Sequence, residues 1–185
     1  VMSTGTLTPT TSAHTVEFSQ AGAQTVKVPT TNSYYHLILS GSGAKTLTSI
    51  TATSGNFTLS GTATAITAAN LAIAGNLSVG DGTTLTQGAF TLSVAGTTTI
   101  GGGSTGIFVG SASNLTLRDN VTLAVGSTWT KGAGTVIFAK GNTMSLTDNT
   151  ATKQDLGAVQ VSVNTTNTTL NLGSSATMTS LTIDT

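Results

Sequence analysis

The chain has 185 residues, of which only six are basic and six acidic, so its formal net charge is zero. This balance excludes the basic surface that nucleic-acid binding requires, and the absence of cysteine excludes disulfides, thiolate metal sites and cysteine nucleophiles. Threonine (42 residues) and serine (20 residues) make up about a third of the chain and favour β-strands, while the apolar runs are too short for membrane insertion.

In chain order, apolar–x–apolar strands recur at a nearly constant interval. Val16 and Leu37 lie 21 residues apart. Further lines open at Ile50, Leu71, Leu92, Leu115 and Val136, at intervals of 21, 21, 23 and 21 residues, and Val159 and Leu181 continue the series. A strand repeat of this length without helical segments is typical of a parallel β-solenoid.

Each line turns a corner and continues as a second alternating strand. The corners fall at Gly55-Asn56, Gly75-Asn76, Gly96-Thr97 and Asp119-Asn120, and we expect them to use the left-handed conformation that Gly and Asn tolerate. Apolar residues after each corner should face inward and Thr or Ser outward; the inward pairs are Phe57/Leu59, Leu77/Val79, Thr98/Ile100 and Val121/Leu123.

The predicted fold is therefore all-β, a right-handed parallel β-helix of eight to nine coils with a period of about 21 residues. We expect one domain over residues 1–185 that starts and ends partway through a coil. The interval from Leu37 to Ile50 is much shorter than this period, so either a coil is short in this stretch or the register is wrong there.

Residues 34–60, 72–96 and 128–141 are similar in style to repeats of large secreted bacterial and archaeal surface proteins. The chain thus resembles filamentous-haemagglutinin and autotransporter-passenger proteins. The resemblance implies right-handed β-helices that serve as adhesins, stalks, fibres and cell-envelope layers. No catalytic residues carry over with it, because the matching segments contain none.

The expected function is a structural, non-catalytic unit of an extracellular fibre or cell-surface adhesin, with no cofactor. We expect it to continue head to tail through exposed coil ends, as a polymer or a tandem repeat; glycans or a host surface are further candidate partners. Joining Thr185 to Val1 of another copy would separate Leu181 from the next Val16 by nearly one period.

Two other functions are considered. The first is a β-sandwich filament subunit that donates a strand, for which irregular strand spacing is expected. The second is a carbohydrate-active β-helix protein, which needs clustered acids. The six candidate acids are Glu17, Asp81, Asp119, Asp148, Asp155 and Asp184; Asp81 and Asp119 lie in different turns, and we expect both to be solvated.

Three further patterns bear on sites. His14 and His36 occupy comparable positions, but a histidine pair without a carboxylate is a weak metal signal, so no metal is expected. The sequence contains six N-glycosylation sequons, at Asn56, Asn76, Asn114, Asn120, Asn164 and Asn167.

Outward threonine is the third pattern. Thr51, Ser93 and Thr116 are assigned to one slot, and Thr58, Ser78, Thr99 and Thr122 to another. Flat Thr arrays on β-solenoids bind ice in some antifreeze proteins. Ala72 and Ile137 interrupt the stripe, so ice binding is not expected from it.

Overall fold

The computed structural model describes residues 13–163 and 166–184, and within these ranges the chain forms 22 β-strands and no helix. All strand pairs are parallel and belong to three sheets, here called A, B and C. The chain visits the sheets in the order A, B, C and then returns to A one strand further along, which makes a β-solenoid of about eight coils.

Sheets A and C each contain eight strands. Sheet A consists of β1 (Thr15–Phe18), β4 (His36–Leu39), β7 (Phe57–Leu59), β10 (Leu77–Val79), β13 (Thr98–Ile100), β16 (Val121–Leu123), β19 (Thr143–Asp148) and β21 (Thr169–Leu172). Sheet C consists of β3 (Ser33–Tyr34), β6 (Ala52–Thr53), β9 (Leu71–Ile73), β12 (Leu92–Val94), β15 (Leu115–Leu117), β18 (Thr135–Phe138), β20 (Ala158–Val161) and β22 (Ser180–Ile183).

Sheet B contains six strands and stops earlier in the chain. It consists of β2 (Gln24–Thr25), β5 (Ser42–Leu47), β8 (Thr62–Thr67), β11 (Thr84–Thr86), β14 (Ile107–Val109) and β17 (Thr128–Thr130). After β17, residues 149–157 pass this side of the solenoid outside any of the named strands.

One hydrophobic core fills the space between the sheets, because alternate residues of every strand point inward. In sheet A the inward column runs through Leu37, Phe57, Leu77, Val121 and Leu146, all buried. Each coil has only two or three short strands, which cannot enclose a core by themselves. A coil therefore buries its apolar side chains by stacking on its neighbours.

The register predicted for the middle of the chain is confirmed with one correction. Leu71, Leu92, Leu115 and Val136 form one column of sheet C, and Val136 continues to Val159 and Leu181. The line that opens at Ile50 is displaced by one residue, because Ala52 pairs with Ala72. Thr51 therefore does not share the slot of Ser93 and Thr116; Ala52 does.

The stretch between Leu37 and Ile50 is not a short coil. Leu37 pairs with Phe57, one full coil further on, in sheet A, whereas Ile50 lies just before the sheet C strand β6. The interval from Leu37 to Ile50 is short because the two residues belong to different sides of the solenoid and not to one column. The same error affects the predicted junction: Val16 belongs to sheet A and Leu181 to sheet C, so the joined stretch between them does not make one coil.

The glycines at the corners between sheets C and A are needed for a reason other than the predicted one. Gly75 and Gly96 do not have positive φ. A Cβ on Gly75 would lie 2.6 Å from the backbone carbon of Gly55, and one on Gly96 would lie 2.6 Å from the carbonyl oxygen of Gly75. At these two positions the stacked backbones approach too closely for a side chain. The left-handed conformation occurs instead at the corner between sheets A and B, for example at Gly61 (φ 68°).

Candidate functional surfaces

The last coil leaves its inward side chains uncovered. Leu172 of β21 and Leu181 of β22 are each 52% exposed, and Ile183 is 64% exposed. The residues at the same column positions one coil earlier are buried: Leu146 and Val159 are 1% exposed. These exposed residues therefore occupy core positions and not ordinary surface positions. We call this surface the coil end.

The coil end is a shallow groove with two unpaired strand edges. Leu170, Leu172 and Met178 line it together with Leu181 and Ile183. Strands β21 and β22 are the outermost strands of sheets A and C, so their outer N–H and C=O groups face away from the described solenoid.

A carboxylate holds the sheet C side of the coil end. Asp184 accepts hydrogen bonds from Gln160 Nε2 at 2.8 Å and from Ser162 Oγ at 2.7 Å, both on the preceding coil. These bonds fix the residue that follows β22, so Ile183 is presented from an anchored segment.

The side of sheet B ends differently, because a side chain takes the place of the next strand. The backbone N–H of Trp129 in β17 donates to Oε1 of Gln154 at 3.0 Å. Gln154 is held by Asp148, whose buried carboxylate accepts its N–H at 2.7 Å and both the N–H and hydroxyl of Thr150. The open edge at this end therefore involves sheets A and C.

The opposite end of the solenoid contains a buried ammonium group. Lys45 of β5 is 1% exposed, and its Nζ donates to the carbonyl oxygen of Gln20 at 2.5 Å and that of Gly22 at 3.3 Å. Sequence reasoning missed this residue. The alternation Ala44-Lys45-Thr46-Leu47 places Lys45 on the same face as the buried Leu47, and this signal was available in the sequence.

Tyr34 lies on β3, in the first coil of the described solenoid. It is fully buried, donates its hydroxyl to the carbonyl oxygen of Lys27 and meets the ring of Phe18 edge-on at 6.2 Å between centroids. Burial raises the pKa of the Tyr34 hydroxyl to about 12. Tyr34 of the first coil is thus covered, in contrast to the apolar side chains of the coil end.

The six acids are dispersed, and each accepts hydrogen bonds within the fold. Asp81 accepts the backbone N–H groups of Gly102 (2.7 Å) and Ser104 (3.0 Å), which orders a glycine-rich loop. Glu17 accepts from Ser40 at 2.5 Å. Asp148 and Asp184 hold the turns described above.

The remaining two acids form ion pairs. Asp119 accepts a hydrogen bond from Lys140 at 2.7 Å, and this bond holds the pKa of the carboxyl below its usual value. A hydrogen bond from Lys131 likewise holds the pKa of the Asp155 carboxyl below its usual value. Asp81 and Asp119 lie in different corners, and Asp119 is partly accessible to solvent while it pairs with Lys140.

The two histidines do not form a cross-strand pair. His36 is opposite Thr15, one position beyond His14. Its Nδ1 accepts the backbone N–H of Asn56 at 2.9 Å. Among the residues that the structure describes, no three His, Cys, Asp or Glu side chains form a group that could hold a metal ion.

The asparagines of the sequons, like His36, accept backbone N–H groups from the next coil, and they form ladders along the corners. Asn56 accepts the N–H of Asn76 at 3.0 Å, and Asn76 accepts that of Thr97 at 2.9 Å. Asn114 and Asn120 likewise each accept a backbone N–H from the next coil. All four and Asn167 are exposed, whereas Asn164 lies outside the described residues. The ladder uses the side-chain oxygens and so explains the recurrence of Asn without glycosylation, which stays a prediction.

Two outward faces carry regular columns of small uncharged residues. On sheet A the predicted slot is confirmed, because Thr58, Ser78, Thr99 and Thr122 are paired in successive strands. On sheet B two columns run side by side. The first contains Ala44, Thr64, Thr84, Ile107 and Thr128, and the second contains Thr46, Ile66, Thr86, Val109 and Thr130. We call these ten residues the sheet B face.

The comparisons give no family for this chain: no protein-family model, no curated protein and no solved structure matches it. Within the described ranges there is also no helix with the length and apolar character needed to cross a membrane.

Proposed function

We propose that the chain is a structural, non-catalytic unit of an extracellular fibre or cell-surface adhesin, and that it continues head to tail through its coil end. The fold supports a mechanical role, since a stack of about eight coils around one continuous core makes a rod. The extracellular location is supported by the resemblance of the repeats to secreted surface proteins.

The exposure of core positions at the coil end is the observation that carries the proposal. Leu172, Leu181 and Ile183 continue columns whose preceding members, Leu146, Val159 and Val161, are buried, and β21 and β22 offer free strand edges beside them. A further parallel coil satisfies both features at once, because it supplies main-chain hydrogen bonds and apolar cover. That coil comes from another copy or from an adjoining repeat.

Of the two other functions, the strand-donating β-sandwich subunit is wrong as a fold. The strands pair in parallel with a nearly constant spacing, whereas such a sandwich is antiparallel. The carbohydrate-active protein gains no support from the acids, because the described carboxylates are dispersed among structural hydrogen bonds and do not face one another across a cleft.

The test is whether the isolated chain associates through the coil end. We expect oligomers or filaments, observed by light scattering after size-exclusion chromatography and by electron microscopy. Ile183→Lys should return the protein to a monomer, because it places a charge where a further coil would pack. Val125→Lys is the matched control, since Val125 is 58% exposed but lies in a lateral turn.

A monomer at all concentrations would contradict the proposal. Equal loss of association in the Val125→Lys control would also contradict it, because contact would then occur through the sides of the rod. Circular dichroism of both variants should show unchanged β-structure, since both positions are exposed in the single solenoid.

A further inference from the structure

The sheet B face is a surface on which the outward side chains are ordered in two dimensions. It spans five successive strands, β5, β8, β11, β14 and β17, and each strand contributes two outward residues. Nine of the ten are Thr, Ile or Val, and none is charged. Every one of them is half-buried or exposed.

The strand ladder fixes the spacing of these side chains. Neighbouring strands lie about 4.8 Å apart, and outward residues of one parallel strand are about 6.6 Å apart. β-Branched side chains have a restricted χ1 angle, so their methyl and hydroxyl groups stay near the positions that the backbone sets. The result is a rigid grid of methyl and hydroxyl groups.

The hydroxyl groups of this grid are free to bind water. Elsewhere in the fold, Thr53 and Thr83 direct their hydroxyls to carbonyl oxygens of their own turns. Within the described residues, the threonines of the sheet B face make no such bond. A shallow trough between the columns, lined by Thr46, Thr64, Ile66 and Thr86 together with Lys45, gives water a place between the two rows.

The size and chemistry of the face favour ordered water over a protein partner. Its footprint is a few hundred Å², well below the roughly 800 Å² per partner of a stable protein interface. Hexagonal ice repeats along its a axis at nearly the spacing between neighbouring strands. Hydroxyls can both donate to and accept from a water lattice, methyl groups fit between its molecules, and the absence of charge avoids a competing hydration shell.

We infer that the sheet B face binds ice through this grid. Ala72 and Ile137 face outward on sheet C and so lie outside this face, whose own four residues without a hydroxyl are Ala44, Ile66, Ile107 and Val109. The row of Ile107 and Val109 keeps the methyl groups in register although it lacks hydroxyls. The inference is independent of the coil end and therefore of the proposed function.

Partition into a slowly growing ice front tests the inference with the folded chain. We expect the wild-type protein to be enriched in the ice and to change the shape of ice crystals. Thr86→Lys should reduce the uptake to that of a non-binding protein, because a lysine in the middle of the grid carries its own hydration shell. Thr128→Lys, on the last strand of the same face, should act in the same direction.

Thr116→Lys is the matched control. Thr116 is also half-buried and outward at the centre of a three-residue strand, but on sheet C. It should leave the uptake unchanged. Exclusion of the wild-type protein from ice overturns the inference, and so does an equal loss in Thr116→Lys. Circular dichroism establishes that each variant is folded.

Discussion

The side-chain oxygen of Asn76 accepts a hydrogen bond of 2.9 Å from the backbone N–H of Thr97, the equivalent corner residue of the next coil. Asn76 in turn donates its own N–H to the oxygen of Asn56. Each asparagine of this corner therefore links two coils where the backbone alone leaves a donor without a partner.

Replacing Asn76 by Ala should lower the free energy of unfolding by about 1 kcal/mol, because the N–H of Thr97 loses its acceptor. Urea unfolding followed by circular dichroism measures the change. Asn149→Ala provides the control, since Asn149 is exposed and bonds to the preceding coil through its backbone. Equal losses in the two variants would show that the ladder adds nothing.

Thr98 should be replaceable by Val with a gain in stability. It faces inward between Leu77 and Val121, is 2% exposed, and its hydroxyl has no hydrogen-bond partner. Removing an unpaired buried hydroxyl while keeping the shape should raise the free energy of unfolding by about 1 kcal/mol. The same change at the outward neighbour Thr99 should have little effect, and a loss of stability in Thr98→Val would mean that the hydroxyl is satisfied.

Leu77→Asp should unfold the coil stack. Leu77 is 1% exposed and lies between Phe57 and Thr98 in the inward column of sheet A. An unpaired carboxylate in such a core costs several kcal/mol. Ser78→Asp, one residue further on and outward, should stay folded. A native far-ultraviolet spectrum and melting temperature for Leu77→Asp would show that the register is wrong.

Tyr34 should make stability depend on pH in the alkaline range. Its pKa in the fold is about 12, above the value of about 10 in an unfolded chain, so the folded state disfavours the phenolate. The stability that the neutral Tyr34 hydroxyl contributes to the fold is complete below about pH 10 and is lost as the pH rises toward about 12. Tyr34→Phe should unfold less readily over this window. Identical alkaline transitions in the wild type and Tyr34→Phe would refute the assignment.

The sequence was sufficient to predict the solenoid because its apolar residues recur once per coil. Leu71, Leu92, Leu115 and Val136 recur at one column, and this pattern specified the parallel pairing. It was not sufficient to distinguish sheet A from sheet C, since both present the same apolar–x–apolar triplets. Leu37 and Ile50 were compared for that reason, although they lie on different sheets.

The surfaces were less predictable than the fold. An exposed Leu181 and a buried Val159 have the same local pattern, and only the position at the end of the stack separates them. The sheet B face was missed because its members fall in the loosest third of each repeat, where insertions change the spacing. Thr84 pairs with Thr64 on one side and with Ile107 on the other, and the second step along the chain is longer than the first. The strand pairing aligns these residues although their spacing along the chain is unequal.

The early end of sheet B has a mechanical consequence. Up to β17 each coil is held to the next by three ladders, whereas β19 to β22 are held by the ladders of sheets A and C, with Gln154 standing in for the third. A pulling force along the chain therefore meets its weakest resistance in the last two coils. We expect these coils to detach first, one at a time, while the three-sided part of the described rod keeps its shape.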